Sequence, residues 1–99
     1  MFAIIGQATS AKDNESYPEG EIHSTMLFIS SDSRENAIKI AVSELEEGGW
    51  VDVRLRKIGT IDSESFNSPD PVIQESFESA VADGASIITY QGVDDEYTT

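Results

Sequence analysis

The sequence predicts an α+β fold, a two-layer α/β sandwich, on three observations. Four short stretches are apolar or alternate apolar with polar residues, as strands do. Two longer stretches repeat apolar residues at the spacing of a helix and end at glycine. The stretches follow one another in the order β-β-α-β-α-β. A chain of 99 residues has room for one core, so residues 1–99 are read as a single acidic α/β domain. Right-handed strand–helix–strand crossovers are expected to set parallel neighbours, with the first strand antiparallel to the second. That layout is a mixed four-stranded sheet with two helices on one face.

The first strand is residues 2–9, where Ile4 and Ile5 favour extended backbone and Gly6 marks a bulge or a close backbone approach. Residues 10–20 are polar, with Pro18 and Gly20, and read as a mobile loop. The second strand, residues 21–30, is apolar on both faces at Met26, Leu27, Phe28 and Ile29, which suits the interior of a sheet. Residues 31–49 hold the first helix. Asp32 is the expected N-cap, with Glu35 at capping-box spacing and Ser31 and Ser33 as alternatives. Ala37, Ile38, Ala41, Val42 and Leu45 share one face, and Gly48-Gly49 stops the helix.

Trp50 opens the third strand, in which Val51, Val53 and Leu55 alternate with Asp52, Arg54 and Arg56 until the phase slips at Lys57-Ile58. Pro69 and Pro71 introduce the second helix, with Ser68 or Asp70 as cap, Ile73, Phe77, Ala80 and Val81 as its stripe, and Gly84 as its end. Residues 86–93 form the last strand, followed by an acidic tail.

Charge is the dominant global property. Nineteen acids face six bases, a formal net charge of −13, and the excess is spread along the whole chain. Such a surface repels nucleic acid and anionic membranes and speeds encounter with basic partners. The chain has no cysteine, which excludes disulfides, thiolate metal sites and a cysteine nucleophile. No stretch has the length of a membrane span and the first residues lack the pattern of a secretory signal, so a cytoplasmic protein is expected.

Motifs for chemistry are sparse. His23 is the single histidine, and a lone strand histidine is ordinarily structural. There is no nucleophile elbow and no phosphate-binding glycine loop. The acidic runs Asp62-Ser63-Glu64 and Asp94-Asp95-Glu96 lack the spacing of a calcium loop, so no metal, cofactor or catalytic residue is expected. Trp50 is expected to seal the core where helix meets sheet.

With both helices on one face, the other face is left open. Leu27, Ile29, Arg54 and Arg56 are the candidate residues of that face, and a homodimer is one way to cover it; the loop 10–20 is another. Arg54, Arg56 and Lys57 would form a basic island there, either gripping an anion or balancing neighbouring acids.

Size and charge make the chain similar in general character to toxin-immunity proteins and to phage-encoded inhibitors such as anti-CRISPR proteins. The likeness implies a non-enzymatic inhibitor whose carboxylates occupy a basic surface where a nucleic-acid binder or toxin expects phosphates. Glu44, Glu46, Glu47, Asp94, Asp95 and Glu96 are the candidate contact acids. The alternatives are a structural or regulatory homodimer and a small enzyme built on carboxylates.

Overall fold

A computed structural model describes residues 1–93. The chain runs β1 (Phe2–Ser10), β2 (Ile22–Ile29), α1 (Arg34–Glu47), β3 (Trp50–Thr60), α2 (Pro71–Asp83) and β4 (Ala85–Val93). The element order and the α+β class are those expected from the sequence. No helix among the described residues is long and apolar enough to cross a membrane.

Local chemistry explains where the helices begin and end. Ser33, in extended backbone, caps α1 by accepting the N–H of Asn36 at 3.2 Å. Asp32 is not the cap: its carboxylate accepts from the Asn36 side-chain amide instead, at 3.3 Å. The Gly48 N–H closes the last turn onto the carbonyls of Glu44 and Leu45. Asp70 caps α2 by accepting from the N–H groups of Val72 and Ile73 at 2.9 and 3.4 Å, with Pro71 as the first helical residue. Gly84 ends α2 at φ 97°, a left-handed conformation suited to glycine, and its N–H returns to Ala80.

The sheet order is β3-β1-β2-β4, and every pairing is antiparallel. The expected mixed sheet is therefore corrected. The crossover through α1 skips one strand: β3 runs in the direction of β2, but β1 lies between them. The reason is in the residues. β1 carries no charge, and interior strands tolerate none easily, whereas the Asp52, Arg54, Arg56 and Lys57 of β3 belong at a sheet edge, where charges also block edge-to-edge pairing.

The two helices do not share a face, the second correction. Paired residues of an antiparallel ladder point the same way, and Ile4 pairs with Leu27 while Ala3 pairs with Phe28. α1 buries Ala37, Ala41 and Leu45 against Ile4, Ala8, Leu27, Ile29 and Trp50, which is the two-layer core of the domain. α2 lies on the opposite face, where Phe77 and Ala80 pack on Phe28. Phe66 stacks on Phe77 at 4.4 Å between ring centres, and both rings meet Phe28 edge-on at 5.5 and 5.8 Å. The Ser86 hydroxyl ties β4 to α2 by donating to the Ser76 carbonyl at 2.6 Å.

α2 covers only one end of its face. Ile5, Met26 and Ile88 pair in one row across the sheet, with Ile5 44% exposed and Met26 and Ile88 half-buried, Met26 against the Phe28 cluster. Leu27 and Ile29, expected on the open face, are fully buried under α1, because the register places the even-numbered residues of β2 on the other side.

Candidate acidic interface

The acidic site is assembled at the end of the sheet where β1 finishes and β2 begins. Residues 11–21 are not the loose loop expected from their composition. The Asn14 carboxamide oxygen accepts the N–H groups of Ser16 and Tyr17 at 2.9 and 3.1 Å, closing an Asx turn. The Asn14 amide donates to the Gly49 carbonyl at 3.2 Å, and the Ala11 N–H donates to the same oxygen at 2.9 Å. Gly49 has φ 92°, and a Cβ there would stand 3.0 Å from the Asn14 Cα, so glycine is required for the contact. The Ser10 hydroxyl donates to the Tyr17 carbonyl at 2.9 Å and holds the far side of the turn.

This junction brings two acidic segments together. Asp13, Glu15, Glu19 and Glu21 come from the connection, and Glu44, Glu46 and Glu47 from the last turn of α1. Asp13, Asn14, Glu15, Ser16 and Glu47 line a cleft of about 270 Å³ between them, and its three acids are exposed. The last turn of α1 has no basic residue, so its glutamates face the negative end of the helix dipole with no compensation. Lys12 is the one base within the connection.

Beneath the acids lies an aromatic floor. Tyr17 folds onto His23 and Trp50 with ring centres 4.4 and 5.3 Å away, and His23 meets Trp50 at 5.6 Å. Trp50 is 5% exposed, sealing the core as the sequence predicts. His23 is buried: its Nδ1 lies 2.8 Å from the Tyr90 carbonyl and its Nε2 lies 3.0 Å from Glu21 Oε1. Both ring nitrogens therefore face acceptors, and the ring pins β2 to β4 and orients Glu21. That is a structural role.

Of the acids predicted from sequence, Glu46 and Glu47 are exposed, Glu44 is half-buried, and all three stand at this end. Asp94, Asp95 and Glu96 lie outside the described residues. Sequence reasoning missed the contribution of residues 13–21. The signal was available, since Asn14 two residues before Ser16 is an Asx-turn spacing.

The basic island is divided. Arg54 and Lys57 pair across the ladder with Gln7 and Ile5 on the open face, Arg54 3.5 Å from Asp52, while Arg56 lines a separate cleft beside α1. The slip expected at Lys57-Ile58 lies just before it: the register against β1 shifts so that Arg56 has no partner. A second shift opposite Ala8 surrounds Asp52, whose φ is 49°, and it leaves Val51 46% exposed rather than buried with Val53.

Among the described residues no group of three or more His, Asp or Glu is placed to hold a metal ion. No protein-family model matches the chain. Comparison with curated proteins and with solved structures likewise finds no match.

Proposed function

We propose that this chain is an acidic protein–protein interaction module that inhibits a basic partner, a nucleic-acid-binding protein or a toxin, by covering its cationic surface. One observation carries the proposal: two acidic segments distant in sequence are clamped together at one end of the molecule by the Asn14–Gly49 junction. Carboxylates presented on a hydrogen-bonded turn and a helix end stand in for the phosphates such a partner binds, and the net charge of −13 speeds the encounter. Glutamates set against the helix dipole weaken α1, which is understandable if they serve binding rather than stability. The open row Ile5, Met26 and Ile88 is the alternative contact, for a homodimer, but two copies would bring a charge of −13 each to one interface.

The test is affinity capture from native lysate at low and at moderate salt, with wild type and an E44Q/E46Q/E47Q variant as baits. Capture of a basic protein by wild type, weakened by salt and by the variant, supports the proposal. A partner held equally at both salts and by both baits defeats it.

A further inference from the structure

Two of the six bases meet at one cleft that the acidic interface does not use. Arg34, the first residue of α1, and Arg56 of β3 line a cavity of about 120 Å³, with Ile38, Leu55 and Ile58 completing the wall, while Lys57 pairs with Ile5 and points to the opposite face. That is well above the ~10–15 Å³ that a single water requires. Neither arginine has a carboxylate at ion-pair distance among the described residues, although acids outnumber bases by nineteen to six. The fold thus sets two like charges beside one space while surplus acids stand elsewhere, an arrangement that repels itself when empty. The fork of arginine suits a planar or tetrahedral oxyanion. Leu55 and Ile58 are half-buried members of the α1 core edge and Ile38 is 37% exposed, so the wall also offers apolar contact.

We propose that this cleft binds a small organic oxyanion, a carboxylate or phosphate head on a short aliphatic stem, with Arg34 and Arg56 holding the head and Ile38, Leu55 and Ile58 the stem. The register shift of β3 builds the site, because it frees Arg56 from pairing at the sheet edge next to α1. The site is independent of the acidic interface, which lies at the other end of a 14-residue helix, about 21 Å away along its axis.

The experiment is an NMR titration of the full-length ¹⁵N-labelled chain with butyrate, butyl phosphate and inorganic phosphate, at ionic strength held constant with sodium chloride. Saturable shifts confined to the amides of Arg34, Ile38, Arg56, Lys57 and Ile58 are expected. Butyl phosphate should bind more tightly than inorganic phosphate, and comparison with butyrate assigns the head group. In an R34Q/R56Q variant the affinity should fall at least about tenfold, because charge-assisted hydrogen bonds are lost. R54Q, on the other face, should bind as wild type does. All three substituted side chains are exposed, so the fold is retained, and unchanged dispersion of the remaining resonances checks this. Shifts that never saturate, or an R34Q/R56Q affinity equal to wild type, overturn the site. Inorganic phosphate binding as tightly as butyl phosphate overturns the role of the apolar wall.

Discussion

The two faces of the sheet are covered in different ways. On one, α1 presses small residues, Ala37 and Ala41, close to the strands, and Ile4, Leu27, Ile29 and Leu45 fill the layer with no exposure. On the other, α2 reaches the sheet through rings, Phe77 and Phe66 on Phe28, and covers one end only. Val72 and Val81 of α2 are 57% and 59% exposed, whereas the described alanines and leucine of the α1 stripe are fully buried. A close aliphatic layer holds the fold; an aromatic bracket holds α2 to its edge and leaves the rest of the second face available. Neighbours Ile4 and Ile5 of β1 point to opposite faces, so the comparison can be tested with adjacent residues.

Ile4 and Ile5 are the same residue type, one position apart, on opposite faces, at 0% and 44% exposure. Ile4→Ala should lower unfolding free energy by about 3 kcal/mol in urea titrations, through lost burial and the cavity left behind. Ile5→Ala should lower it by about 0.5 kcal/mol, since much of its surface already meets water. Equal losses would mean that the second face is covered in solution. Phe77→Ala should cost about 3 kcal/mol locally, and native-state hydrogen exchange should show it first in α2 and Ser86, with the amides of β1 and α1 retaining their protection. Loss of protection throughout would show that both layers unfold as one unit. Thr25 tests the α1 face in the opposite direction. It is fully buried and its hydroxyl has no hydrogen-bond partner among the described residues, so Thr25→Val, of nearly the same shape, should stabilise the fold by about 1 kcal/mol, measured as a higher urea midpoint.

The same contrast explains what was legible in the sequence. Periodicity and glycine stops located all six elements, because each signal is local: the Asp70-Pro71 start of α2, Gly84 at its end, and Gly6, where a Cβ would stand 2.5 Å from the Arg54 carbonyl oxygen. Strand order and helix side were not legible. An apolar run such as Met26–Ile29 supplies a suitable surface to either face, so nothing within β2 says that Leu27 meets α1 and Phe28 meets α2. A strand–helix–strand pattern reads the same whether the two strands touch or a third lies between them. At the site, the Glu44, Glu46 and Glu47 cluster was visible as composition. Its junction with residues 13–21 was not, because it depends on one carbonyl, Gly49, being reached from 35 residues away.

The smallest expected effect separates charge kept for stability from charge kept for binding. Glu44, Glu46 and Glu47 stand in the last turn of α1, where exposed helix carbonyls concentrate negative potential and no basic residue offsets it. Neutralising them to glutamine keeps side-chain size and helix propensity nearly constant. Each change should therefore stabilise the helix, by about 0.3 kcal/mol, and the triple variant should unfold at slightly higher urea. If the acidic end is the contact surface, the same variant must bind its basic partner more weakly, with a shallower dependence on salt. Stability and association then move in opposite directions. A variant that gains stability and keeps its binding would place the contact elsewhere, with the row of Ile5, Met26 and Ile88 as the surface to change next.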